Sequence, residues 1–167
     1  HPEMADFDVA VIGGGIVGHC VSWFLAEDGI SVVCIDDGRQ SGSIANAGSL
    51  HVQMQSRTMR LYPDLIPMYE LSMPIYPLAA DYWLEIEKRL GQDIELRVGG
   101  GLMVAETREQ YEFLGAKSHR ENKIGIATEL IGRSELMTMA PYLNPVSEGA
   151  LFCPKEGKIN PLLANSA

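Results

Sequence analysis

Val9-Ala10-Val11-Ile12-Gly13-Gly14-Gly15-Ile16-Val17-Gly18 decides how this chain is read. An apolar run ends in three spaced glycines, Gly13, Gly15 and Gly18, and passes into residues with helical spacing. Gly13 permits a tight turn off a strand. Gly15, with no Cβ, lets a pyrophosphate approach the backbone. Gly18 lets the next helix pack closely on the strand, its first N–H groups aimed at the phosphates. The spacing alone is weak, and its context strengthens it. Residues 7–12 read as a buried strand, and Val17, Val21, Phe24 and Leu25 recur as on one helix face. Glu27-Asp28-Gly29 closes that helix, with Gly29 at the C′ position.

Residues 30–35 then read as a second buried strand, rich in Val and Ile. Asp36 follows it directly, 23 positions after Gly13. A carboxylate there accepts hydrogen bonds from a ribose diol and disfavours a ribose carrying a 2′-phosphate. The plainer alternative is a polar strand-end residue. The next loop is Asp37-Gly38-Arg39-Gln40-Ser41-Gly42-Ser43-Ile44-Ala45-Asn46-Ala47-Gly48-Ser49-Leu50-His51. Its small residues let backbone approach a ligand, and it exceeds the usual length of a βα connection. Arg39 either reaches an adenine or phosphate or is a solvated surface charge.

At 167 residues, 46% hydrophobic and 21% charged, the composition is that of a globular chain long enough for one domain with a core. The net charge of −9 argues against nucleic acid or an anionic membrane surface as partner. No apolar run approaches the roughly 18–20 residues that span a bilayer. The early apolar stretch is broken by glycines and preceded by Asp6 and Asp8, which is not a secretory leader. His1-Pro2-Glu3 before Met4 reads as a remnant of expression. Cys20, Cys34 and Cys153 form no C-x-x-C, as expected of reduced thiols in a cytoplasmic protein. Cys20 and Cys34 read as core residues, and Cys153 has no activating neighbours. The four histidines lack metal-ligand spacing, so no metal is expected.

Residues 54–91 are helical in pattern but interrupted by Pro63, Pro67, Pro74 and Pro77. A longer helix is predicted over 77–90 with Leu78, Tyr82, Ile86 and Leu90 on one face and a solvated Glu85–Arg89 pair. Tyr62, Tyr69, Tyr76, Tyr82 and Trp83 read mainly as packing aromatics. Residues 94–98 and 102–105 are predicted as antiparallel strands around Gly99-Gly100-Gly101. Thr107 is a helix cap for a segment whose apolar residues are Tyr111, Leu114 and Ala116, with charges elsewhere. Strands follow over 127–131 and 150–153, with a helical turn capped by Ser134 between them. Asn160-Pro161 are N-cap and N1 of a last helix that is short of its expected length at Ala167. Two strands and one helix are also only the first part of a doubly wound sheet. The chain therefore reads as the N-terminal portion of a larger protein, its remainder a separate chain or a missing segment.

Val11 to Gly18, Asp36 and the loop Ser43-Ile44-Ala45-Asn46-Ala47-Gly48 together resemble the D-amino-acid oxidase-like flavoproteins, which include glycine and sarcosine oxidases and D-amino-acid dehydrogenases. Gly101-Leu102-Met103-Val104-Ala105, Glu135-Leu136, Pro141-Tyr142-Leu143, Gly149-Ala150-Leu151, Gly157 and Asn160-Pro161 extend the resemblance over essentially the whole chain. It implies an α/β fold: a Rossmann-like FAD-binding domain, βαβ with G-x-G-x-x-G, interleaved with the start of an antiparallel-sheet substrate domain. The corresponding division is 4–60 for the first part of the FAD-binding domain, 61–150 for the first part of the substrate domain, and 151–167 for the return. It implies FAD and oxidation of the C–N bond of an amino acid, imino acid or opine-like secondary amine by hydride transfer to flavin. Cofactor contacts fall on Gly13, Gly14, Gly15, Ile16, Val17, Gly18, Asp36, Asp37, Arg39, Ser43, Asn46, Ala47, Gly48 and Leu50. His51 is a weak catalytic candidate near the flavin. Substrate anchors are expected beyond Ala167.

Residues 47–55 also resemble the FAD subunits of multi-subunit opine oxidases and D-hydroxyproline dehydrogenases, which implies further oxidase subunits and allows a peripheral inner-membrane association. Two other readings compete. One is an NAD-binding dehydrogenase, disfavoured by the early departure into broken helices. The other is a non-catalytic FAD-holding piece that needs a partner chain.

Overall fold

The computed structural model describes residues 6–39 and 41–167; His1-Pro2-Glu3 and Gln40 of the loop lie outside them. The chain divides into two units. The first comprises the residues up to Gly48 together with Ile159–Ala167, and the second is Ser49–Lys158.

In the first unit β1 (Val9–Ile12) and β2 (Val32–Ile35) pair in parallel, Val9 opposite Val32 and Ile12 opposite Ile35. The helix α1 (Ile16–Glu27) connects them and packs on both. Parallel pairing requires such a crossover. Gly29, at φ 82°, turns the chain out of α1 with its N–H on the Ala26 carbonyl. The strands are not the buried pair their apolar runs suggested. Ile12 is 77% exposed and Ile35 51%, because helix covers the sheet on one side and a parallel sheet is buried only when both faces are covered. Cys34 is exposed for the same reason and Cys20 only half-buried, so neither is a core residue; Cys153 is the buried thiol. The chain re-enters this unit with α7 (Pro161–Ser166), capped as expected by Asn160, whose Oδ1 accepts from the Leu162 and Leu163 N–H groups.

The second unit begins with β3 (Ser49–Leu50), which pairs antiparallel with β7 (Gly157–Lys158). Prolines divide the next stretch into α2 (Ser56–Leu61), a 3-10 turn at Pro63–Leu65, α3 (Ile66–Ser72) and α4 (Ile75–Leu90). α4 buries Ala80 and Ile86 and leaves Leu78 and Tyr82 exposed, so its packed face is rotated from the expected one. Its mate is the cluster of Val52, Met54, Ile66, Met73 and Ile126, which selects the face carrying Ala80. Tyr62 and Tyr82 are exposed rather than packed.

Residues 94–98 do not form the expected strand. Glu95 lies at φ 57°, the Ile94 and Leu96 N–H groups donate to the Glu87 carboxylate, and only Arg97 makes a ladder contact, with Lys158. The antiparallel sheet has the order β4 (Gly101–Ala105), β6 (Gly149–Cys153), β5 (Glu129–Gly132). β4 thus pairs with a strand distant in sequence, not with its neighbour across the glycines. α5 (Arg108–Lys123) packs on this sheet and opens with a complete capping box between Thr107 and Gln110. Leu114 is buried and Tyr111 packs beside it as expected, but the buried face also carries Lys117, Ser118 and Glu121, while Ala116 is exposed. α6 (Arg133–Met139) is preceded by Gly132 as N-cap, which places Ser134 inside the helix, not at its cap.

Candidate dinucleotide site

Local chemistry builds the turn after β1. Gly13, at φ 106°, adopts a conformation that a side chain disfavours, and its N–H donates to the Ile35 carbonyl at 2.8 Å. The Gly14 N–H donates to Asp36 Oδ2 at 2.6 Å, and the Gly38 N–H to Oδ1 at 2.7 Å. These two donors hold the Asp36 carboxyl below the ordinary carboxylate range. Asp36 therefore fastens β2 to the glycine turn, an internal duty that its position at a strand end did not disclose. Each oxygen retains acceptor capacity for a ribose hydroxyl.

Close approach explains the remaining glycines. A Cβ on Gly18 would lie 1.8 Å from the Gly13 carbonyl oxygen, and one on Gly15 would lie 2.9 Å from Ser43 Oγ. The Ser43 hydroxyl instead accepts from the Ile16 N–H at 2.9 Å. The loop is thereby tied to the head of α1, where the first N–H groups have no carbonyl within their own helix. Val17 is 74% exposed there. The Asn46 side chain is spent on its own loop: its Nδ2 donates to the Gly42 and Ser43 carbonyls and its Oδ1 accepts from the Gly48 N–H. Gly48 is buried at φ 67°, with the Ile159 carbonyl 1.9 Å from where a Cβ would stand. Ala47 is exposed. Arg39 and Asp37 form an exposed ion pair at 3.0 Å.

Two neighbours of this turn carry no signal in the local sequence. Asn165 on α7 donates through Nδ2 to the Gly14 carbonyl at 3.3 Å, and its own carbonyl lies 2.8 Å from His19 Nδ1. The Asn165 Oδ1 is buried with no partner among the described residues. Residues 151 positions apart share no helical or strand periodicity, so only folding brings them together. A cradle closed to Cβ atoms, an ionised carboxylate and the positive end of α1 fit a dinucleotide with an unphosphorylated ribose.

Leu50 and His51 belong to the second unit. Leu50 is opposite Gly157 in the β3–β7 pair. His51 borders a cavity of about 190 Å³ with Leu50, Tyr76, Ala80 and Trp83, and its Nδ1 lies 3.8 Å from Glu156 Oε1. A larger cleft of about 490 Å³, bordered by Ser56, Arg60, Met103, Gln110 and Phe113, contains none of the cofactor or catalytic candidates read from the sequence. No helix of the described residues is long and apolar enough to cross a membrane.

Residues 8–167 match the model of the DAO family, FAD dependent oxidoreductase. An opine oxidase subunit from Rhizobium meliloti is 29% identical over 95% of this chain and 43% of its own length. The glycine oxidase of Geobacillus kaustophilus is 26% identical over 92% of this chain and 40% of its own. Among solved structures, glycine oxidase from Bacillus cereus superposes with a TM-score of 0.70 at 27% identity, over 96% of this chain and 43% of that one. The chain thus spans about two fifths of the length of these relatives.

Proposed function

This chain belongs to the DAO family of FAD-dependent oxidoreductases, and we propose that its first unit grips the adenosine diphosphate half of FAD in an enzyme that oxidises the C–N bond of an amino acid, imino acid or opine-like secondary amine. The observation that carries this reading is the closure of the glycine turn by two distant groups, Asp36 on the Gly14 N–H and Ser43 on the Ile16 N–H. In this reading Asp36 accepts the ribose hydroxyls. The head of α1 faces the diphosphate, and Gly15 leaves room for Ser43, which ties the loop to that helix head. Asp37 and Arg39 edge the adenosine side. The backbone of Asn46, Ala47 and Gly48, then Leu50, continues along the cofactor, and His51 stands near its redox-active end. FAD, when bound, supplies the hydride acceptor. The first unit is the start and return of the FAD-binding domain, and the second is the first part of the substrate domain.

The test uses the full-length protein. Bound FAD, read from its visible absorption, and bleaching of that absorption by amino, imino or opine substrates under anaerobic conditions are expected. A colourless protein that binds NAD would sink the proposal. A second reading is favoured by one relative whose own name is that of a subunit: the protein acts with a further oxidase subunit. Oxidation that requires a co-purified second polypeptide would establish it, and full turnover by the single polypeptide would exclude it. Three free thiols agree with a cytoplasmic setting.

A further inference from the structure

The residues that follow β3 are buried without regular secondary structure. Val52 is 1% exposed, Gln53 4% and Met54 7%. Buried N–H groups need acceptors, and here three consecutive ones are met by carboxylates, not by a strand. Glu156 Oε1 accepts from the Val52 N–H at 2.9 Å and the Gln53 N–H at 3.0 Å. Glu121 Oε1 accepts from the Met54 N–H at 2.6 Å. The Gln53 side chain completes the link: its Nε2 donates to Glu156 Oε2 at 3.0 Å and its Oε1 accepts from Lys117 Nζ at 3.0 Å. Lys117 also donates to both oxygens of Glu121, at 2.8 and 2.9 Å. Lys117 is 1% exposed and Glu121 2%.

Such a network is costly. Burial alone pushes Lys117 down and Glu121 up, each partly offset by the other's charge, and apolar residues of similar volume would fill the space as stably. The geometry shows what the charges do instead. The hydrogen bonds these side chains make beyond one another fall on residues 52–54, and Gly101 leaves the space for the Glu156 carboxylate. A Cβ at Gly101 would lie 2.0 Å from Glu156 Oε2. The same Glu156 Oε1 that accepts from Val52 and Gln53 lies 3.8 Å from His51 Nδ1. Every member of the arrangement lies within the second unit.

We propose that Glu156, braced by Gln53, Lys117 and Glu121, is a positioning residue that fixes the backbone after Leu50 and thereby the stance of the His51 imidazole toward the cofactor. This rests on the assignment of Leu50 and His51 to the cofactor under Proposed function. The carboxylates hold residues 52–54 as a rigid tether, β7 holds Leu50, and His51 between them is left little freedom.

The test uses the full-length protein with FAD bound and the variants Glu156→Gln, Glu156→Asp, His51→Ala and the Glu156→Gln/His51→Ala double. In Glu156→Gln, hydrogen exchange at the Val52 and Gln53 amides is expected to lose its protection while FAD stoichiometry stays full. The visible flavin spectrum should change as it does in His51→Ala. The kcat for amine oxidation should fall on the order of 10- to 100-fold, with a smaller effect on KM, the scale of a misplaced group near the chemistry. The double variant should be no slower than the slower single, and Glu156→Asp should recover part of the rate. Unchanged amide protection in Glu156→Gln, or losses that multiply in the double variant, would overturn the proposal. If Glu156→Gln does not fold, Gln53→Met removes the side-chain brace between Glu156 and Lys117, and unchanged protection of residues 52–54 in it overturns the proposal equally. Absence of FAD from every variant and from the parent would strike the function proposed above, while the amide protection would still decide the tether.

Discussion

A methyl group added at Gly18 would stand 1.8 Å from the Gly13 backbone oxygen, so the backbone itself must shift. Gly18→Ala is therefore expected to displace α1 from β1, with a loss of at least about 1–3 kcal/mol of the kind seen on overpacking and of FAD binding, read by denaturant titration and flavin absorbance. At Asp36 the expected consequence is chemical. Asp36→Asn keeps the shape but removes a charged acceptor, and an ionised acceptor makes the stronger hydrogen bond. FAD affinity should fall on the order of 10- to 100-fold in a fluorescence titration. The pH dependence follows from the direction of its shift. A carboxyl held below its ordinary pKa by the Gly14 and Gly38 N–H groups favours the folded, ionised form. That contribution is present above the ordinary carboxylate range and is lost as pH falls through the lowered value. FAD affinity should accordingly stay level from neutral pH down to the ordinary carboxylate range and drop only below it. The glycines and Asp36 were legible in the sequence because their spacing within one βαβ unit is short. Asn165, arriving beside Gly14 from the far end of the chain, was not.

Among the elements, α5 separates what was legible from what was not. Its start was plain, since Thr107 and Gln110 stand three positions apart and each bonds the other's backbone. Thr107→Ala should cost about 1 kcal/mol in chemical denaturation. Its buried face was read only in part, through Tyr111 and Leu114. Leu114, Lys117, Ser118 and Glu121 do recur at helical spacing, but three of the four are residue types that ordinarily face water. The spacing was the available signal, and the residue types hid it. Lys117→Met leaves Glu121 buried without its cation and should lose about 3–5 kcal/mol, whereas replacing both Lys117 and Glu121 by methionine should recover part of that loss. Recovery stays incomplete because the Met54 N–H then lacks an acceptor. Equilibrium unfolding of the three proteins measures both effects. The lost strand at residues 94–98 has a comparable cause: the Ile94 and Leu96 N–H groups are taken by the Glu87 carboxylate, a competitor that strand propensity does not register.

For the whole molecule, the chain leaves the first unit after Gly48 and returns to it at Ile159, where the Ile159 N–H donates to the Gly48 carbonyl at 2.8 Å. Anything that binds only the folded protein raises its stability in proportion to the logarithm of its concentration over Kd. FAD should therefore raise the Tm of the full-length protein, increasingly so with concentration, while NAD should leave it unchanged; thermal scans at several cofactor concentrations measure this. The sequence by itself determined what neighbours within a turn or two decide: the glycine turn with its strand and helix, the Thr107 and Asn160 caps, and the breaks at proline. It also determined the family, through the glycines, Asp36 and the Ser43 to Gly48 loop taken together. Tertiary structure alone decided that β4 pairs with β6, that Cys153 and not Cys34 is buried, and that Lys117, Glu121 and Glu156 meet around residues 52–54. Ladder partners and burial are settled between segments tens of residues apart, by which surfaces exclude water together, and no local pattern records that choice.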